Sequence, residues 1–240
     1  MIDLHTHILP GLDDGARTLE DAVAMARVLV AEGVTVVAAT PHVRDDFPTS
    51  ANVMLHSVTA LRRVLDEAEI PLTLLPGAEV AVDWLARLDD DELRRLSLAG
   101  SGRYVLVETP YRGWPVELLE RLLRLRAAGF TPVLAHPERN PVVQATPSLL
   151  APLVAGGTLV QVTAASLDGR LGTASYNAGH RLIAAGLAHM VASDAHGSGV
   201  REAGMRAAVD AIRDDALARW LVSDVPNAIA RGTGLPPRPR

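Results

Sequence analysis

The chain has no cysteine and no lysine; all 23 of its basic side chains are arginine. Without cysteine there is no thiolate nucleophile, no disulfide and no cysteine-bound zinc or iron–sulfur cluster. Without lysine there is no Schiff base, no pyridoxal-phosphate anchor and no phosphate-loop lysine. Long apolar runs are missing too. None reaches the ~18 residues of a membrane span, and Met1-Ile2-Asp3-Leu4-His5 turns polar too early for a secretory signal. A net charge of -5 offers no basic surface to nucleic acid or to an anionic membrane. The expectation is a cytoplasmic protein, with which absent cysteine agrees. What remains for hard chemistry is eight histidines, 28 carboxylates and the arginines.

With 240 residues, 48% hydrophobic and 21% charged, the chain suits one domain of the larger kind. Short apolar, mostly β-branched runs predict strands at Met1–Leu4, Thr35–Ala39, Thr73–Leu75, Tyr104–Val107, Pro132–Ala135, Leu159–Val162 and Met190–Ala192. Amphipathic stretches between them predict helices over Thr18–Ala31, Val53–Ala68, Asp90–Leu96, Val116–Ala127, Ser148–Val154, Ser175–Ala185 and Val200–Arg219. The first opens on Thr18-Leu19-Glu20-Asp21, a capping-box-like start, and Gly33 follows its end. Seven βα repeats imply a parallel sheet. At this length, and with no Gly-rich dinucleotide fingerprint after the first strand, the expectation is an α/β, TIM-like (β/α)7 barrel in a single domain. That domain spans residues 1–231, followed by a loose tail over 232–240 rich in glycine, proline and arginine.

Polar residues recur where strands end. His5 and His7 flank Thr6 after the first strand, and residues two apart in an extended segment point to one side. His42 follows the second strand, Glu79 the third, Glu108 the fourth and His136 the fifth; Asp194 and His196 follow the seventh, and Asp14 lies in the loop after the first. Only the sixth strand offers none. Any one of these could be a helix cap or a histidine satisfied by a carbonyl, but together they point to one site on the C-terminal face of a barrel. Five histidines and four carboxylates suit two or three bridged divalent ions, among manganese, iron, zinc, cobalt or magnesium, and not calcium. Such ions make water a nucleophile at neutral pH and stabilise an in-line displacement, so phosphate esters are the natural substrates. Arg139, three residues after His136, and Arg201, five after His196, can fork onto phosphate oxygens.

The opening Met1-Ile2-Asp3-Leu4-His5-Thr6-His7-Ile8-Leu9-Pro10-Gly11-Leu12-Asp13-Asp14-Gly15 resembles the bacterial protein-tyrosine phosphatases of the polymerase-and-histidinol-phosphatase (PHP) superfamily, the CpsB/CapC-like regulators of capsule and exopolysaccharide. Ala39-Thr40-Pro41-His42, Gly77-Ala78-Glu79, Ala135-His136-Pro137-Glu138-Arg139 and Ala192-Ser193-Asp194-Ala195-His196 match later motifs in order, up to about Ile229. The resemblance implies a distorted seven-stranded barrel, the PHP fold. It implies a first ion on His5, His7, Glu79 and Asp194, a second on Asp14, His42 and His196, and a third on Glu79, Glu108 and His136. It gives Arg139 and Arg201 the phosphoryl group, makes Asp14 and His42 part of the catalytic set, and names the C-terminal tyrosines of a tyrosine autokinase as substrate.

A phenol leaves with pKa ~10, so a strong general acid is less necessary. Asp13 and His42 stand nearest that role. Tyr111 and Trp114 are candidate contacts for an aromatic ring, against an equal case for ordinary packing. Few aromatics otherwise mark the loop Asp46-Phe47-Pro48, and the segment Gly197-Ser198-Gly199-Val200-Arg201 is short. His56, His180 and His189 are read as structural or exposed. Two alternatives stay open: a PHP phosphatase for a small ester such as histidinol phosphate or a nucleotide, and a non-catalytic metal-binding regulatory partner. Homo-oligomerisation stays open as well.

Overall fold

Apolar segments too short for helices become strands buried on both faces, with all five residues of Tyr104–Glu108, of Thr131–Ala135 and of Leu159–Thr163 inaccessible to solvent. The computed structural model describes residues 1–197 and 199–239. Ser198, in the short segment after His196, and Arg240, at the end of the expected tail, lie outside the described residues. The strands are β1 (Ile2–Thr6), β2 (Val36–Ala39), β3 (His42–Arg44), β4 (Phe47–Pro48), β5 (Thr73–Leu75), β6 (Glu79–Ala81), β7 (Tyr104–Glu108), β8 (Thr131–Ala135), β9 (Leu159–Thr163) and β10 (Met190–Ala192).

They form two sheets, ordered β1-β2-β5 and β10-β9-β8-β7-β6-β3-β4, with every pairing parallel except that of β3 with β4. The division is local. β3 resumes two residues beyond β2, across Thr40-Pro41, and β6 resumes beyond β5, across Pro76-Gly77-Ala78. Proline has no N–H to give, so the ladder breaks there. Glu79 N–H then donates to Pro41 O at 3.1 Å and pairing restarts. Counted through the breaks, seven strands follow in chain order. The first and last meet in a bridge between Thr6 and Ala195, where His7 N–H donates to Ala195 O and Asp194 N–H to His5 O, each at 2.9 Å. The fold is a distorted α/β barrel in one domain.

The helices flank this ring. Leu19–Ala31 opens on the expected capping box: Thr18 Oγ1 accepts from Asp21 N–H at 3.2 Å and Asp21 Oδ2 from Thr18 N–H at 3.1 Å. The helix expected over Val200–Arg219 is instead divided into Met205–Ala211 and Asp215–Arg219. Gly204 (φ 64°) and Arg213 (φ 33°) stand left-handed at the breaks, and Asp214 caps the second piece by accepting from Leu217 N–H at 2.9 Å. The tail expected to be loose is laid down. Trp220 Nε1 donates to Pro236 O at 3.1 Å, Arg238 Nη2 to Ile183 O at 2.7 Å and Tyr104 Oη to Thr233 O at 2.5 Å. Tyr104 opens β7, so the tail crosses the N-terminal end of that strand. No helix among the described residues is long and apolar enough to cross a membrane.

Candidate metal centre

Each strand of the ring ends on the same face, and its last residues set the site. His5, His7, His42, Glu79, Glu108, His136, Asp194 and His196 are all buried there, while Asp14 is partly exposed. His136 (φ 32°) and Asp194 (φ 53°) take up the left-handed region at the ends of β8 and β10. For residues with a Cβ this costs about 1 kcal/mol or more, a strain found where function holds it in place. The loop bearing Asp13 and Asp14 closes onto His7 through Gly15. A Cβ at that position would stand 2.1 Å from His7 O.

His5 Nε2 and His7 Nε2 lie 3.2 Å apart, and each is 3.4 Å from both Glu79 Oε2 and Asp194 Oδ1. Beside this group, Asp14 Oδ1 is 3.3 Å from His42 Nε2 and from His196 Nε2, with His7 alongside. On the other flank Glu79 Oε1 meets His136 Nε2 at 2.8 Å, and Glu79 Oε2 meets His42 Nδ1 at 2.9 Å. Glu108 departs from the set drawn for it with His136: its Oε2 stands 3.7 Å from His42 Nδ1 and 3.4 Å from Arg44 Nη1, and it groups with His42 and Glu79.

The donor set fits divalent cations. His7 Nδ1 donates to Asp13 Oδ2 at 2.7 Å and His196 Nδ1 to Asp194 O at 2.8 Å. Gln161 Oε1 accepts His136 N–H at 3.1 Å, which fixes the amide's orientation, so His5 Nδ1, 3.0 Å from the same oxygen, must donate as well. All three histidines therefore turn Nε2 inward. Two protons cannot share the 3.2 Å between His5 and His7 Nε2, whereas one cation satisfies both nitrogens and the carboxylates beside them. Edges of 3.2 to 3.4 Å suit ligand atoms about 2.0–2.2 Å from a common ion. Glu108 Oε1 is buried with no hydrogen-bond partner among the described residues, which a metal bond would supply.

Despite burial, the carboxylates beside them raise His5 and His7 and carry His42 up to about 9, a positive charge that a bound cation would replace. Burial works against the Asp194 and Asp14 carboxylates, yet the histidines around them, and Arg201 beside Asp14, hold both far below the usual range. Burial, helped by His7, pushes His196 down to about 4, so its ring stays neutral, as a ligand must be. Asp13 falls below the usual carboxylate range despite its burial, because His7 leans on it. It therefore stays ionised, the opposite of what a general acid needs. It holds histidines: Oδ2 accepts from His7 and from His42 N–H at 3.0 Å.

Arg139 Nη1 donates to Asp194 Oδ2 at 2.5 Å and Arg201 Nη1 to Asp14 Oδ2 at 2.9 Å, so both guanidiniums stand at the edge of the cluster. Trp114 packs partly buried against the core, whereas Tyr111 lies beside His136. His56 is exposed, His180 Nε2 donates to Leu167 O, and His189 Nδ1 accepts from Val160 N–H, all outside the cluster. Sequence reasoning passed over Gln161, Asp3 and Arg44. Asp3, whose carboxyl burial pushes up to about 6, accepts from His5 N–H and Ser193 N–H. A signal existed for the first two: each is the single polar residue in its sequence-predicted strand, Gln161 in Leu159–Val162 and Asp3 in Met1–Leu4. A cavity of about 570 Å³ opens beside Asp14, His196 and Arg201 and runs along Met25, Val28 and Leu29.

A family profile described as capsular polysaccharide synthesis, CpsB/CapC, matches residues 1–227. The chain belongs to the CpsB/CapC family. Among CpsB/CapC relatives, the tyrosine-protein phosphatase YwqE of Bacillus subtilis is 38% identical over 197 residues, covering 82% of this chain and 77% of that one. The tyrosine-protein phosphatase CpsB of Streptococcus pneumoniae is 27% identical over 224 residues, covering 88% and 89%. A crystal structure from work on YwqE and CpsB, described as unique metal-dependent tyrosine phosphatases, superposes with a TM-score of 0.88 at 32% identity, over 100% of this chain and 99% of that one. A probable 2-pyrone-4,6-dicarboxylic acid hydrolase of Acinetobacter baumannii, at TM-score 0.53 and 16% identity over 96% of this chain and 98% of that one, shares the fold alone.

Proposed function

We propose that this chain is a metal-dependent protein-tyrosine phosphatase that acts on the C-terminal tail of a bacterial tyrosine autokinase controlling capsule or exopolysaccharide synthesis. The observation that carries the reading is the convergence of inward-turned imidazole nitrogens on shared carboxylates, with two guanidiniums at the edge. His5, His7, Glu79 and Asp194 would hold one ion and Asp14, His42 and His196 a second; Glu79 and His136 leave room for a third, with Glu108 on the His42 side of Glu79, manganese being the first choice. When bound, the ions supply Lewis acidity and a water-derived nucleophile at neutral pH.

The chain's own groups do the rest. Asp13, Gln161 and the Asp194 carbonyl fix the tautomers of His7, His5 and His196. Arg139 and Arg201 can swing from their carboxylates onto phosphoryl oxygens, orient the group and spread its charge. The phenolate of tyrosine leaves at pKa ~10 with little help from an acid.

The test is elemental analysis of the purified chain joined to turnover of a phosphotyrosine peptide across metals, with histidinol phosphate alongside. Metal-dependent turnover that favours the peptide is expected. A large kcat/KM advantage for histidinol phosphate would overturn the tyrosine specificity. Metal-loaded protein inert on every phosphomonoester would favour a regulatory role.

A further inference from the structure

Two aromatic side chains stand against the cluster without joining it. Phe47 lies nearly parallel to His42, with centroids 5.8 Å apart and planes at 16°. Tyr111 lies nearly parallel to His136, at 6.0 Å and 5°. These two histidines reach the two oxygens of one carboxylate, Glu79, so the rings flank the same end of the cluster. Each ring also carries a guanidinium: Arg44 Cζ is 5.2 Å from the Phe47 centroid and Arg139 Cζ is 5.0 Å from that of Tyr111.

The placement is built. Asn140, next to Arg139 and buried, donates Nδ2 to Pro110 O and to Gly113 O, each at 2.8 Å, clamping the chain on both sides of Tyr111. Tyr111 nonetheless stays 42% exposed, so it is reachable from solvent. In a chain only 3% aromatic, where Tyr104, Phe130 and Trp220 are buried in the core, two flat rings beside the metal ligands are a large share of what there is.

We propose that Phe47 and Tyr111 form an aromatic rim that receives the ring of the ester group and so selects aryl over alkyl phosphates. The proposal rests on the phosphatase reading. A phosphoryl group held by Arg139 lies beside Tyr111, because that guanidinium packs on the Tyr111 ring. Whatever is esterified to it passes over the rim. A phenyl ring gains from packing there, by about twofold to tenfold in affinity per ring pair. A hydroxylated alkyl chain gains nothing from a flat apolar face.

The experiment is calorimetric titration of the manganese-loaded full chain with phenylphosphonate and with methylphosphonate, whose phosphorus–carbon bonds are not hydrolysed. The variants are Phe47→Leu and Tyr111→Leu, which keep apolar bulk against the histidines but remove the flat ring. The wild-type protein should prefer phenylphosphonate. Each variant should lose about twofold to tenfold on phenylphosphonate, hold its affinity for methylphosphonate and keep its metal content. Equal losses on both ligands, or loss of metal, would mean that the rings only brace His42 and His136, and the rim would be wrong. Turnover of the phosphotyrosine peptide with no preference for the phenyl ligand would sink the rim and leave the phosphatase standing. A phenyl preference lost in the variants, without peptide turnover, would do the reverse.

Discussion

Gln161→Leu removes one oxygen and strands two donors. Gln161 is fully buried, and its Oε1 accepts from His5 Nδ1 at 3.0 Å and from His136 N–H at 3.1 Å. Leucine nearly matches the volume, so packing changes little and the polar loss dominates. Each buried donor left without an acceptor costs about 1–3 kcal/mol, which gives roughly 2–6 kcal/mol for the pair. Set against a typical ~5–15 kcal/mol of stability, that is a heavy loss. At this chain length the lower end alone corresponds to about 4–8 °C in Tm. His5 would also be free to carry its proton on Nε2, the nitrogen turned toward His7, Glu79 and Asp194. Metal affinity should fall a further ~10–100-fold, as losses of such supporting contacts do. Thermal unfolding in excess chelator reads the first effect, and metal titration of the folded protein reads the second. Gln161→Glu keeps an acceptor for both donors and should recover most of the metal affinity. Wild-type Tm and wild-type metal affinity in Gln161→Leu would refute the argument that this side chain fixes His5.

Arg139→Ala should retain metal while inorganic phosphate binds at least about tenfold more weakly, since a charge-assisted contact is worth roughly 1.5–3 kcal/mol; metal analysis with phosphate inhibition checks both. Gly15→Ala should cost about 1–3 kcal/mol or more and weaken metal binding, because its Cβ would stand 2.1 Å from His7 O; chelator-free and chelated melts separate the two effects. Burial, with Arg238 adding to it, holds His189 down to about 4, against 6.5 when exposed. The unfolded chain therefore binds the extra proton first. The stability from neutral His189 is complete above pH 6.5 and is lost as pH falls toward 4, to the extent of about 3 kcal/mol. His189→Asn, which keeps an acceptor for Val160 N–H, should flatten that acid limb in denaturant titrations run with chelator; an unchanged limb would show that His189 does not titrate there.

The barrel and the residues at its mouth were legible because they repeat. Six strands each delivered a histidine or a carboxylate at the same point in the repeat, and periodicity needs no knowledge of tertiary contacts. What stayed hidden depends on such contacts. β3 and β6 were missed because Pro41 and Pro76 read as strand ends; the structure treats them as breaks after which pairing resumes with new neighbours. The docked tail was missed because its anchors are Tyr104, Trp220 and the carbonyl of Ile183, none near it in sequence. Asp13 was legible as a residue of the site but not in its role, since proximity in sequence to Asp14 says nothing about which ring nitrogen it holds. Phe47 looked isolated in its loop until the antiparallel turn of β3 on β4 set it over His42.

The bridge that closes the ring joins β1 to the segment after β10. β1 carries His5 and His7, and Asp194 and His196 follow β10, so ligands far apart in the sequence meet only where those two strands dock. Local opening of that seam would scatter the ligand set, so a cation bound across it would act as a clasp that holds the ring shut.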